Sequence, residues 1–145
     1  MIYTPDTKKA IRLMYEAHKD AWDKSGVPYV FHPFHVAEQM DDETSTIVAL
    51  LHDVVEDTDY TLDDLREMGF SEEVCQALDL LTHREGVPYM DYVRNIKSNP
   101  VAVKVKLADL AHNSDRTRFD HMTEFDYKRE EKYRAAVRIL QGEED

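Results

Sequence analysis

Residues Val101 to Asn113 read VAVKVKLADLAHN, and their reading decides the fold. The opening residues alternate Val and Lys as an amphipathic strand would. From Lys106 onward the period changes, and KLADLAHN places Asp109, His112 and Asn113 at i, i+3 and i+4, one face of a helix. No other stretch offers a partner strand, so the segment reads as a helix following Asn99-Pro100, and the chain as all-α.

The flanking segments agree. Thr4 suits an N-cap and Pro5 the first helical position of a helix running through TPDTKKAIRLMYEAHKDAWD. Ile11, Met14, Tyr15, His18 and Trp22 recur on its apolar face, so His18 and Trp22 are expected in the core. SGVPYVFHPFH is a turn and connector, with a second helix from His32-Pro33 to about Met40. Residues 43–56 read as a third helix with a largely apolar face. Thr61 and Asp64 form a capping-box pattern ahead of a stop at Gly69, and Ser71 caps the helix EEVCQALDLLTHR. A short helix over residues 89–98 and a last one from about Glu124 to Leu140 complete the set. Tyr89 and Tyr92 could line a pocket, though packing is the favoured reading. His83 and His121 fall near helix ends, where imidazoles meet free carbonyls.

The 145 residues, 42% hydrophobic and 33% charged, with few Gly and Pro, suit a single folded domain spanning 1–145. The lone Cys75 excludes an internal disulfide and reads as a small buried hydrophobe. No signal-like or membrane-spanning apolar run is present, so a cytoplasmic location is the default expectation. A formal net charge of −12 argues against nucleic acid or an anionic membrane as partner. An anionic small molecule would need a local cation, and a bound divalent metal would supply one.

The chemistry concentrates in ALLHDVVEDT, Ala49 to Thr58, where four titratable side chains interrupt an apolar run. Burying them costs free energy unless something compensates. On a continuous helix His52 lies over Glu56, and Asp53 over Asp57. One pair can face a metal while the other lines the cavity beside it. His32 and His35 upstream, with Asp109 and His112 downstream, bring imidazole and carboxylate groups from three segments, as helical bundles do to build a metal site. Two imidazoles with two carboxylates and open positions favour Mn²⁺, with Fe²⁺ or Zn²⁺ as alternatives.

GVPYVFHPFHVAEQM, VALLHDVVEDT and VKVKLADLAHN resemble the successive motifs of the HD-domain phosphohydrolases. More narrowly they resemble the alarmone hydrolase branch, which includes the RelA/SpoT hydrolase halves and the small stand-alone hydrolases. The resemblance implies a helical bundle with one central metal site, His32, His52, Asp53 and Asp109 being the ligands. It assigns Glu56 and Asp57 to the attacking water, while His35 and His112 stand outside the ligand set. Tyr29 and Asn113 fall where the family contacts the nucleoside, and Thr58 supports the turn after the acidic pair on the substrate side. Arg84, and Arg129 with Tyr133, fall near positions that grip a distal phosphate. Lys24 stands where many members carry an Arg that stacks on guanine, and Leu110 where the long proteins have Arg. The implied activity is removal of the 3′-pyrophosphate of guanosine tetra- or pentaphosphate. With no synthetase or regulatory segment in these residues, a bifunctional enzyme is not expected.

Two other readings stand beside it. One is an HD-type nucleotide phosphatase acting on NADPH or another nucleoside phosphate. The other is a catalytically silent nucleotide-binding module, disfavoured because HDVVED is complete. Oligomeric state is not legible.

Overall fold

A computed structural model describes residues 1–144. Val101–Asn113 is helical, as read: Asn99 caps α8 (Pro100–Asn113) by accepting the Ala102 N–H at 3.1 Å. Ala102, Val105, Asp109 and Leu110 are its buried stripe, so the Val/Lys alternation is one edge of that stripe rather than a pleat. Among the described residues there are nine α-helices and a 3-10 turn at Arg116–Arg118, and no strand longer than an isolated bridge.

The order before α8 is α1 (Pro5–His18), α2 (Phe31–Glu38), α3 (Glu43–Leu51), α4 (Val54–Asp57), α5 (Leu62–Glu67), α6 (Glu72–Leu81) and α7 (Tyr89–Ile96). α9 (Glu124–Leu140) follows the 3-10 turn. α3 is the central rod, buried continuously from Ser45 to Leu51 and packed against α1, α2, α6 and α8. A helix that is apolar all round must be enclosed, and these four neighbours enclose it. Asp42 starts it, accepting from the Ser45 N–H at 2.8 Å. α9 closes the far side against α7 and α8.

Two boundaries differ from the sequence reading, and both shape the site. α1 stops at His18, short of Trp22. The Asp23 carboxylate accepts from Ser25 N at 2.9 Å and Val27 N at 3.0 Å, a local turn that competes with helix. Trp22 is therefore 69% exposed instead of packed in the core, whereas His18 is buried. The helix over 43–56 is broken at His52–Asp53, with Asp53 at φ −106°, ψ −2°. No helix among the described residues is long and apolar enough to cross a membrane.

Candidate metal centre and nucleotide cavity

The break between α3 and α4 explains how neighbours in sequence act together. On a continuous helix residues 52 and 53 would point about 100° apart. Here His52 Nε2 lies 3.1 Å from Asp53 Oδ2 and 3.5 Å from Asp109 Oδ1. From α2, His32 Nε2 reaches Asp109 Oδ1 at 2.9 Å and Asp53 Oδ2 at 4.0 Å. α2, the α3–α4 break and α8 thus converge on one point. Donor atoms of His32, His52 and Asp109 lie within 4.8 Å of one another, and all three residues are buried.

This donor set fits a divalent ion. His52 Nδ1–H donates to Ala49 O at 2.6 Å, which fixes the tautomer and turns the Nε2 lone pair into the site. That Nε2 is buried and lacks an aligned hydrogen bond, despite the carboxylates beside it. Burial pulls the His52 pKa down, but Asp53 and Asp109 outweigh it and hold the group well above 6.5. Burial also works against the Asp53 carboxylate, yet His52 keeps its pKa down at about 2. Asp109 is held well below the carboxylate range, against its burial, by Lys106 Nζ at 2.9 Å and by the two imidazoles. Both carboxylates are therefore ionised and available to a cation.

His112 and His35 stand behind this group. His112 Nδ1 meets His32 Nδ1 at 2.7 Å and its ring stacks on His35 at 4.1 Å between centroids. Burial, then Arg118, lowers the His112 pKa to about 4, so a neutral imidazole backs His32. The Tyr29 hydroxyl donates to Asp53 Oδ2.

The cluster opens into a cavity of about 560 Å³, a size suited to a nucleotide. Glu56 and Asp57 of α4 both line it, in different ways. Glu56 Oε1 accepts the His83 N–H at 2.6 Å, tying α4 to the loop after α6. Desolvation by the cavity walls, then Asp53 and Glu56, push the Asp57 pKa up to about 6. Tyr29, Lys24, Asn113, Arg129 and Tyr133 also line the cavity, from three separate segments. Asn113 Nδ2 donates to Asp109 Oδ1 at 3.0 Å, and Lys24 Nζ sits 5.1 Å from the Phe125 ring.

Two expected contacts are not in it. Arg84 turns to the outer surface and pairs with Asp79 at 2.6 Å, because α6 offers it a carboxylate there. Thr58 donates to Val54 O at 2.6 Å and accepts from Tyr60 N at 3.3 Å, so it holds the turn without reaching the cavity.

The cavity also contains groups the sequence reading missed. Lys106 is one, legible in hindsight from its i, i+3 spacing to Asp109. Lys132, Arg118 and Trp22 carry no local signal. Tyr89 and Tyr92 do more than pack, since both line the cavity. His83 lines it as well, with its Nε2–H donated to Val87 O at 2.6 Å. Lys132 has no carboxylate at ion-pair distance among the described residues. Partial desolvation, then Lys106, Arg129 and Lys24, lower its pKa, the mark of a crowded cationic wall.

No protein-family model matches the chain. It is 33% identical over 125 residues to a probable GTP pyrophosphokinase of Mycobacterium leprae, covering 77% of this chain and 16% of that protein. With the guanosine-3′,5′-bis(diphosphate) 3′-pyrophosphohydrolase of Aquifex aeolicus it shares 30% identity over 124 residues, 77% of this chain and 18% of the relative. With the human guanosine-3′,5′-bis(diphosphate) 3′-pyrophosphohydrolase MESH1 it shares 38% over 102 residues, 63% of this chain and 56% of the relative. The chain thus spans under a fifth of its long curated relatives and just over half of MESH1. A solved structure, that of a metazoan ortholog of SpoT that hydrolyses ppGpp, matches with a TM-score of 0.80 at 23% identity. The match covers 98% of this chain and 89% of that one.

The chain therefore has the fold of that SpoT ortholog. In sequence it is similar to proteins named guanosine-3′,5′-bis(diphosphate) 3′-pyrophosphohydrolase.

Proposed function

We propose that this protein hydrolyses the 3′-pyrophosphate of guanosine tetra- or pentaphosphate, releasing GDP or GTP and pyrophosphate, with Mn²⁺ as its ion. The observation that carries the reading is one cavity holding both the His32, His52, Asp53 and Asp109 cluster and the basic side chains of Lys106, Arg129 and Lys132. A substrate with phosphates at two ends of a nucleoside needs both. The names of the relatives supply the substrate class.

His32, His52, Asp53 and Asp109 would hold the ion, which when bound supplies a Lewis acid for water and phosphoryl oxygen. Asp57 accepts the proton of the attacking water, its raised pKa being suited to a base near neutral pH. Glu56, anchored on His83 N–H, fixes where α4 presents that carboxylate. Asn113 orients Asp109 by donating to it, and it and Tyr29 line the cavity that takes the nucleoside. Arg129 and Lys132 take the distal phosphates, with Tyr133 one turn on from Arg129 along α9. The substrate class and the single buried Cys75 suit the cytoplasm.

The test is metal-stripped protein incubated with guanosine tetraphosphate, with and without Mn²⁺, and the products separated by ion exchange. GDP and pyrophosphate formed only with Mn²⁺ is the expected result. Orthophosphate released instead, from NADPH or another nucleoside phosphate, would replace this reading with that of a general nucleotide phosphatase.

A further inference from the structure

The chain has one tryptophan, and its indole is 69% exposed. A scattered exposed hydrophobe needs no explanation. This one is held in place. Trp22 bridges to Pro28 across a small hairpin closed by Asp23 N–H to Val27 O at 2.8 Å and Tyr29 N–H to Ala21 O at 2.9 Å. Gly26, at φ +85°, makes the turn that a side chain would strain. The Asp23 carboxylate locks the hairpin from within through Ser25 and Val27. It also ties the hairpin to the opposite wall through Arg118 at 2.8 Å. At the hairpin's end, the Tyr29 hydroxyl donates to Asp53. The indole is thus set on a braced arm whose other end is the candidate metal centre.

Trp22 lines the same cavity as that centre. Most other rings around the cavity already have their faces engaged. Tyr29 packs on His18 and His32, while Tyr89 and Tyr92 pack on each other and on His83. Phe119 meets Arg129, and Tyr133 meets Lys132. Among the described residues Trp22 has neither a ring nor a cation against it. A braced aromatic face on the cavity, with no ring or cation against it, matches a planar, uncharged group.

We propose that Trp22 is the stacking platform for the purine base of the nucleotide. The inference rests on the reading of the cavity as a nucleotide site. Stacking on a ring face reads no base edges, so the platform accepts adenine as well as guanine. Base selectivity must then come from elsewhere in the cavity.

The single tryptophan makes the test direct. The full chain, saturated with Mn²⁺ and read by intrinsic fluorescence, is titrated with GDP, ADP and inorganic pyrophosphate. Both nucleotides are expected to quench the emission, and pyrophosphate to leave it within the dilution control. Trp22→Ala is expected to raise the KM for guanosine tetraphosphate about 5- to 100-fold, with kcat falling far less, and Trp22→Phe to restore most of it. An indole this exposed contributes little packing, so both variants should melt with the parent protein. Equal quenching by pyrophosphate, or a KM unchanged in Trp22→Ala, overturns the platform while leaving the hydrolase reading intact. Quenching by GDP and ADP without any turnover of guanosine tetraphosphate keeps the platform and overturns that hydrolase reading. An emission that shifts with protein concentration alone means a second copy covers the indole, and also overturns the platform.

Discussion

Asp109→Ala isolates the electrostatic cost of holding the site together. Lys106 Nζ and Asp109 Oδ2 are 2.9 Å apart, with side chains 12% and 7% exposed. At an effective dielectric of about 20, unit charges at that separation attract by about 6 kcal/mol. Desolvation of the two groups cancels much of this, so the intact pair contributes little net stability. Removing only the carboxylate is different, because it leaves the ammonium beside Tyr89 and Tyr92 with no partner. Such a half-removal costs about 3–5 kcal/mol, against a total stability of about 5–15 kcal/mol for a protein of this size. The assay is urea unfolding followed by circular dichroism with a chelator present, so that lost metal binding does not enter. Lys106→Met on the Asp109→Ala background should recover part of the loss, a coupling of about 1–3 kcal/mol. In Asp109→Asn the deficit should be full at pH 7. The native carboxyl is held below its unfolded value, so its contribution is present above about pH 4 and is lost as pH falls further. A loss under about 1 kcal/mol in Asp109→Ala, or single effects that simply add, would refute the reasoning.

Three further outcomes are expected. Asp57→Asn should lower kcat about 100-fold or more with Mn²⁺ content unchanged by elemental analysis; loss of the metal would make Asp57 a ligand instead of a base. Lys132→Ala should raise the KM for guanosine tetraphosphate several-fold at low salt, and the difference should shrink as salt rises. An unaltered KM would remove Lys132 from the phosphate wall. Asp42→Ala should cost about 1 kcal/mol in thermal or urea melts, because it removes the cap of the central helix α3.

Helix content was legible because each long segment carries a cap as well as a period. Thr4, Thr61, Ser71 and Asn99 all cap where sequence places or permits a start. The errors fell where a local side-chain bond overrides periodicity. Nothing in the spacing of His18 and Trp22 shows that Asp23 will fold back on Ser25 and Val27 and end α1 early. The break at His52–Asp53 is equally silent, because Val54 continues the apolar run and is itself buried. Of the site, the carboxylate and imidazole groups could be read because each lies in a dense local pattern. Of the cationic wall Lys24 and Arg129 could be read, but Lys106 and Lys132 could not, since they stand on different helices and meet only through the packing of α8 against α9. Arg84 shows the converse: a basic residue in a suggestive stretch is captured by the nearest carboxylate, Asp79.

The same separation of charges would let an acidic protein take the polyanion proposed as its substrate. The cavity wall carries five basic side chains, Lys24, Lys106, Arg118, Arg129 and Lys132, against five carboxylates, Asp23, Asp53, Glu56, Asp57 and Asp109. Three of the bases are committed to ion pairs, Lys106 with Asp109, Arg118 with Asp23 and Arg129 with Asp126 at 2.8 Å. Counted with neutral imidazoles, the form that can bind an ion, the wall is balanced, and it sits in a chain of formal charge −12. A divalent ion held by His32, His52, Asp53 and Asp109 would tip that local balance to about +2, at the end of the cavity where the carboxylates crowd. Such an ion would then be more than a catalyst: it would make the acidic end tolerable to a phosphate. The break in α3–α4 is what brings His52 and Asp53 together to hold that ion.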